Sequence, residues 1–375
     1  MNNKNAKKYN NIKLYISITK GVVSFFAIIA FVYFGYSNEL ESYLKSYTEN
    51  QYLLLLLFVV VVGFVSSVIN FPVKFYTEFY LEHKYELSNQ TFWKWIWEDF
   101  KGLLVGLVIG VPILLLFYWV MLTFGDLWWL VFSIAMFLIS VVLAQIVPVV
   151  ILPIFYKITP LENEEIKNRV LRLAADVKMK VENVFQFNMS KNTKKANAAF
   201  TGLGRTKRII LGDTLLDNYT EDEIETVLAH EFGHYKHKHI IKNLFIGTAT
   251  SFLTFFIMAK LYDLSLPWFG FTEITQVSAL PILSVWAMLI GLISTPLGNM
   301  LSRKFEYQAD EYAIQVTGKP EAFINTLEKL TDQNLGDKEP HPFVEWFFYS
   351  HPSVEKRRER IEKSVENNKG LYSNG

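Results

Sequence analysis

No cysteine occurs among the 375 residues. Disulfides are thereby excluded, and any metal held by the protein must be bound through His, Asp or Glu. Charge is also scarce: 19% of residues are charged against 51% hydrophobic. The 37 Lys and Arg nearly cancel the 36 Asp and Glu, leaving a net charge of +1. Such a balance offers nothing to a polyanion, so no nucleic-acid partner is expected. Internal repeats, low-complexity tracts and flexible linkers are missing as well. Two long stretches, "LLLLLFVVVVGFV" and "GLLVGLVIGVPILLLFYWVMLTFG", carry no charge at all. Runs of that kind exclude a soluble globule with merely buried helices and place the chain in a lipid bilayer.

Six segments are long and apolar enough to cross a membrane: 14–36, 51–70, 102–124, 127–150, 242–262 and 278–300. The Lys-rich tail before the first resembles the start of a signal peptide, but no small-residue cleavage site follows, so the segment is expected to remain as an anchor. Lysines collect in that tail and in the second connection (Lys74, Lys84, Lys94, Lys101), whereas residues 263–276 hold no basic residue. The positive-inside rule then puts both termini and the 151–241 connection on the cytoplasmic side. Trp93, Trp95, Trp97, Trp128 and Trp129 fall near span ends, where interfacial aromatics are expected.

The 151–241 connection reads as mixed helix and sheet. "ENEEIKNRVLRLAADVKMK" (162–180) has its apolar residues at helical spacing. "VENVFQFN" and "KRIILGDTLL" look like strands, and "ANAAFTGLG" like a strand entering a Gly-rich turn. Then comes "YTEDEIETVLAHEFGHYKHKH". Thr220 with Glu223 forms a capping box, so a helix starts near Glu221. The last thirteen residues of that stretch hold four of the chain's seven histidines.

His230 and His234, four residues apart, project from one helix face. His230-Glu231-Phe232-Gly233-His234 is thus an HExxH motif: two imidazoles for one zinc, with Glu231 placed as general base. A zinc ion so held brings its water to a pKa of about 7. The third ligand cannot follow the pattern that puts a His six residues after His234, because position 240 is Ile. His237 and His239 are expected to flank the site as solvated or interfacial side chains. "SRKFEYQADEYA" (302–313) continues the last span out of the membrane on the same side, with Glu306 and Asp310 on one face. Glu306 is the expected third ligand, and Asp310 is placed to accept the free N–H of a ligating His.

Together with "ELSNQT" (86–91), "ANAAFTG" (196–202), "RIILGDTLL" (208–216) and "YSHPSVEKR" (349–357), these motifs resemble the type I CAAX prenyl proteases. Those are integral-membrane zinc peptidases, and the resemblance, from about residue 52 to 360, is to their compact bacterial version. It implies zinc ligands His230, His234 and Glu306, one Zn2+ per chain, and Glu231 as catalytic base. It places Asn197, Ala198, Ala199 and Phe200 on an extended backbone that takes the substrate peptide as an added strand, as a strand bordered by glycines can. It also brings His351 and Arg357 near the metal, His351 toward the oxyanion and Arg357 toward a substrate carbonyl or an acidic partner. Tyr235 and Ala199 depart from the family's usual aromatics, which bears on pocket shape.

The expected architecture is predominantly α: a polytopic membrane protein with about six transmembrane helices and a small α+β zinc-peptidase domain built from 151–241 and 301–375. Residues 1–150 supply four spans and 242–300 the other two. The expected activity is peptide-bond hydrolysis on a peptide or protein that carries a lipid or membrane anchor, at a bacterial cytoplasmic membrane. An HtpX-like quality-control protease has fewer spans. A non-catalytic zinc-binding scaffold would not need Glu231. An intramembrane site-2-type protease would need an Asp-Gly ligand motif within a later span. Oligomeric state is open.

Overall fold

The computed structural model describes residues 3–176, 184–201 and 208–372. The Gly-rich turn expected at 202–204 lies outside the described residues, as do 177–180 of the expected amphipathic helix and 181–183 of the expected strand after it. The chain opens with α1 (Asn3–Tyr33), α2 (Tyr36–Lys45) and α3 (Gln51–Lys74), and α3 passes through a π-helical turn (Phe75–Tyr80) into α4 (Leu81–Lys84). Then come α5 (Phe92–Phe124) and α6 (Trp128–Ile146), with a second π turn leading to α7 (Leu152–Phe155). Asn50 and Thr91 cap α3 and α5, their side-chain oxygens accepting the N–H groups of Tyr52, Leu53 and Lys94.

Among the described residues, five continuous helical segments are long and apolar enough to span a bilayer. One of them, Phe92–Phe155, has 64 residues. Straight, it would reach about 96 Å, some three times the hydrocarbon thickness. It instead doubles back at Gly125, whose φ of +48° suits a glycine. Phe117 meets Phe132 edge-on with ring centres 5.0 Å apart, and Lys101 Nζ donates to the Ile154 carbonyl at 3.1 Å. The segment is therefore an antiparallel hairpin of two passes, which brings the total to six. Val60, Phe64, Val108, Phe245 and Ile293 point outward as a lipid-facing surface requires.

The connection between the first two spans holds a helix: Gly35 turns the chain at φ +80°, and α2 packs beneath the 277–279 turn, with Glu41 Oε2 accepting the Ser278 N–H at 2.9 Å. One expectation needs correction. Trp95 and Trp128 are not interfacial. Trp128 is buried against Phe117 and Trp95 among Phe71, Phe75, Phe79 and Phe92, whereas Trp93 and Trp97 are exposed.

The polar part begins with β1 (Ile158–Pro160), a strand not foreseen in the sequence, then α8 (Glu164–Asp176), β2 (Val184–Phe187), β3 (Ala198–Thr201), β4 (Arg208–Gly212), α9 (Asp213–Asn218) and α10 (Glu221–Lys236). The strands form one sheet in the order β1-β2-β4-β3, with β2 and β4 parallel and the outer pairs antiparallel. β3 is thus an edge strand, paired with β4 from Ala198↔Leu211 to Thr201↔Arg208. After α11 (His239–Ser265), α12 (Pro281–Thr317) runs as one 37-residue helix from the apolar layer into the polar part, and α13 (Pro320–Gln333), α14 (Pro342–Phe348) and α15 (Val354–Tyr372) complete the chain.

The core of the polar part joins pieces far apart in sequence. Ile166, Val170 and Leu173 of α8 meet Leu211 of β4, Leu228 and Phe232 of α10, Ala313 of α12, and Phe323 of α13. Each fully buried Leu, Ile or Phe contributes about 1.5–3 kcal/mol. Arg169 reaches from α8 to Asp222 (2.6 Å) and Glu225 (2.8 Å) on α10, and Lys319 contacts the same two carboxylates at 2.7 Å. Those cations hold the Asp222 carboxyl below its ordinary range.

Candidate metal centre

Helix α10 begins as its sequence dictates: Thr220 Oγ1 accepts the Glu223 N–H, and the Glu223 carboxylate accepts the Thr220 N–H at 2.9 Å. Three turns later it meets α12 at an unusually short distance. A Cβ added to Gly233 would lie 2.8 Å from Ala309 Cα and 3.0 Å from Ala309 O. The two backbones therefore touch, and the side chains on either side of that contact face each other at close range.

His230, His234 and Glu306 are brought together there, each offering one atom within 4.8 Å of the others. His230 Nε2 lies 3.2 Å from His234 Nε2 and 3.4 Å from Glu306 Oε2, and His234 Nε2 lies 3.5 Å from Glu306 Oε1. Donors 2.0–2.1 Å from a tetrahedral ion stand about 3.3–3.4 Å apart; the two Nε2 atoms are near that spacing, and each has a Glu306 oxygen close by. Glu306 is buried, with imidazole nitrogens of His230 and His351 against its Oε2 at 3.4 and 2.9 Å. A buried carboxylate is costly unless positive charge stands beside it, and a cation held with the imidazoles relieves that cost. The residues present fit a metal ion.

A second layer of contacts orients each imidazole. His230 Nδ1 is 2.9 Å from Asp310 Oδ1, and Arg357 Nε donates to Asp310 Oδ2 at 2.8 Å. Asp310 thus stands where the sequence puts it, and Arg357 pairs with this acid, the second of its two expected partners. Burial disfavours charge on His230, but hydrogen bonds to Asp310 and Glu306 outweigh burial and push it up to about 9. Burial and the neighbouring His230 push His234 down to about 3, leaving it neutral and ready to ligate.

His239 overturns an expectation. It is 2% exposed, not solvated, and stacks on Phe305 with ring centres 4.1 Å apart. Its Nδ1 lies 2.9 Å from His234 Nδ1, and its Nε2 lies 2.9 Å from Gln308 Oε1. Counting five residues past His234 along one helix misplaces it. Lys238 adopts the left-handed conformation (φ 56°), breaks the helix and swings His239 back toward the site. One protonation pattern satisfies the chain: His234 Nδ1–H donates to His239 Nδ1, and His239 Nε2–H donates to Gln308 Oε1, leaving His234 Nε2 free for a metal. His239→Ala is expected to weaken metal affinity by about 10–100-fold, read by competition with a chromophoric chelator. Neither His239's role nor Gln308's has a motif in the sequence. By contrast His237 is half-buried, stacked on His239 with ring centres 5.5 Å apart.

The remaining candidates lie nearby. His351 Nδ1 is 2.9 Å from Glu306 Oε2 and its side chain is 65% exposed, so it borders the open side of the centre. Glu231 follows His230 on α10 and is partly exposed. Ala198–Thr201 form β3, which packs against α10, and Asn197 stands exposed just ahead of it.

Comparison with known proteins places this arrangement. Residues 2–157 match the family described as CAAX prenyl protease N-terminal, five membrane helices, and residues 160–365 match Peptidase family M48. The chain is 28% identical to the uncharacterized metalloprotease YhfN of Bacillus subtilis, covering 96% of this chain and 85% of that one. It is 32% identical to CAAX prenyl protease 1 of Saccharomyces cerevisiae, over 78% of this chain and 68% of that one. The crystal structure of S. mikatae Ste24p superposes with a TM-score of 0.85 at 27% identity, covering 95% of this chain and 88% of that one. The membrane helices, the HExxH helix and the carboxylate helix are thus those of a membrane metalloendopeptidase, and this chain belongs to peptidase family M48, in its type I CAAX protease branch.

Proposed function

We propose that this chain is a zinc endopeptidase that cuts an extended segment of a lipidated or membrane-anchored peptide at the cytoplasmic face of a bacterial cytoplasmic membrane. The observation that carries the reading is the gathering of His230, His234 and Glu306, from two helices distant in sequence, with one ligand atom of each within 4.8 Å of the others. Two imidazoles and one carboxylate, with no thiolate in the chain, suit zinc in an open catalytic site. The ion, when bound, supplies acidity to water and polarises the scissile carbonyl.

The protein's own residues do the rest. Glu231 takes the proton released on attack and delivers it to the leaving amine. The free edge of β3, from Asn197 to Phe200, receives the substrate as an antiparallel or parallel strand through main-chain hydrogen bonds. His351, on the exposed side of Glu306, donates to the oxyanion developing on the carbonyl. Arg357 and Asp310 keep His230 aligned and carry no reacting proton. Lysines in the tail and second connection orient this side toward the cytoplasm. The full-length relative in Bacillus subtilis supports a bacterial setting.

The test compares cleavage of a farnesylated tetrapeptide-tail peptide, its unprenylated form and an unfolded membrane protein, each with chelator and with zinc restored. Chelator-sensitive, zinc-restored cleavage with preference for the farnesylated peptide is expected. Preference for the unfolded protein would favour a quality-control role. Cleavage untouched by chelation would contradict the zinc mechanism.

A further inference from the structure

The residues just ahead of β3 are held from three sides, by parts of the chain that the chemistry above leaves without a task. On one side lies the "ELSNQT" loop: Lys194 N donates to Leu87 O (2.9 Å), Asn89 N to Asn192 O (3.1 Å), and Thr193 Oγ1 to Leu87 O (2.9 Å). This makes a short antiparallel bridge, Ser88↔Thr193. On the other side, Asn334 at the end of α13 grips one peptide unit as a neighbouring strand would. Its Oδ1 accepts the Ala196 N–H at 2.9 Å, and its Nδ2 donates to Ala196 O at 3.2 Å.

Glu82, on α4, is the third hold. Its Oε2 lies 3.0 Å from Lys195 Nζ, and its Oε1 accepts from Lys13 Nζ at 2.8 Å and from the Tyr9 hydroxyl, both on α1. Asn10, also on α1, donates to Leu335 O at 2.7 Å, closing the ring of contacts. Among the described residues, three that are not glycine have positive φ: Lys238 beside the metal centre, and Glu86 and Leu335 on the two flanks of this segment. A left-handed Leu or Glu costs about 1–3 kcal/mol and persists only where surrounding contacts over-determine it.

The segment leads straight into the receiving edge. Ala196 is buried, Asn197 O accepts the Gly212 N–H at 2.9 Å, and β3 starts at Ala198. An edge strand paired on one side only is free to shift unless something fixes its entry point. We infer that Asn334 and Glu82 are positioning residues that hold the β3 edge in register for pairing with a substrate strand, so that α1 and α4 help to secure the edge that binds substrate. The inference rests on β3 being the substrate-receiving edge. Neither residue touches the reacting atoms. Their contribution is to substrate binding in ground and transition states alike, which appears in KM rather than kcat.

The experiment uses the full chain in detergent with zinc, and fluorogenic extended peptides in which each backbone amide is N-methylated in turn. In the wild type, methylation is expected to raise KM at alternate positions, the pattern of a peptide added to a strand edge. Asn334→Ala is expected to raise KM about tenfold through the loss of two hydrogen bonds, with kcat and metal content unchanged and the alternation flattened. Glu82→Gln keeps the side chain's shape, guards against a folding defect at 334, and should raise KM by about threefold. If the wild-type scan shows no alternation, the strand-edge reading fails and this inference with it. If alternation is present and KM is unchanged in both variants, the inference alone is overturned.

Discussion

Glu231→Gln is expected to slow peptide hydrolysis by about 10²–10⁴-fold while leaving one metal ion per chain. Glutamine matches the shape of glutamate but cannot take up the proton that attack on the carbonyl releases. Glu231 sits between His230 and Phe232 on a helix whose start is fixed by the Thr220–Glu223 capping box, and the isosteric substitution is expected to keep that helix and its two imidazoles in place. Metal content by mass spectrometry and single-turnover cleavage check the two halves separately. Wild-type turnover in this variant would remove the general base from the mechanism. Loss of metal would instead give Glu231 a ligand's role.

Gly233→Ala is expected to damage the same centre by a route that involves no chemistry. The added Cβ would sit 2.8 Å from Ala309 Cα and 3.0 Å from its carbonyl oxygen. Both are backbone atoms, so α10 and α12 must move apart, at a cost of about 1–3 kcal/mol. His230 and His234 ride on one helix and Glu306 on the other, so separation opens the triangle of donors. A displacement near 1 Å costs about 10²-fold in rate. Ala309→Gly in the same chain should not rescue it, because the clash is with main chain. Gly291→Ala on α12 is the control: nothing lies within 4 Å of that position, and helix propensity favours alanine by about 1 kcal/mol. Gly233→Ala matching that control in metal affinity and rate would show that the close helix contact has no part in holding the site.

Much of the site is legible in the sequence because its signals are local. The spacing of His230 and His234, the capping box before them, and the continuation of the last span to Glu306 and Asp310 each need only helical geometry. The length and apolarity of the spanning segments are legible for the same reason. What escapes depends on where the chain turns. His239 is misplaced because Lys238 breaks the helix in a conformation that no residue pattern there announces. Gly233 reads as the filler of a motif until Ala309 is seen against it. The helix at 36–45 takes its place through Glu41 and Ser278, more than two hundred residues apart, and the holds on residues 192–196 come from residues 82–89 and 334. Long-range pairings of that kind leave no periodicity to read.

Anomalous diffraction at the zinc edge from crystals of the full chain tests the central claim most directly. One peak is expected, about 2.0–2.1 Å from His230 Nε2, His234 Nε2 and a Glu306 carboxylate oxygen, and absent in Glu306→Ala. A peak elsewhere, or zinc retained equally well after Glu306→Ala, would contradict the claim that helices α10 and α12 grip one ion between them.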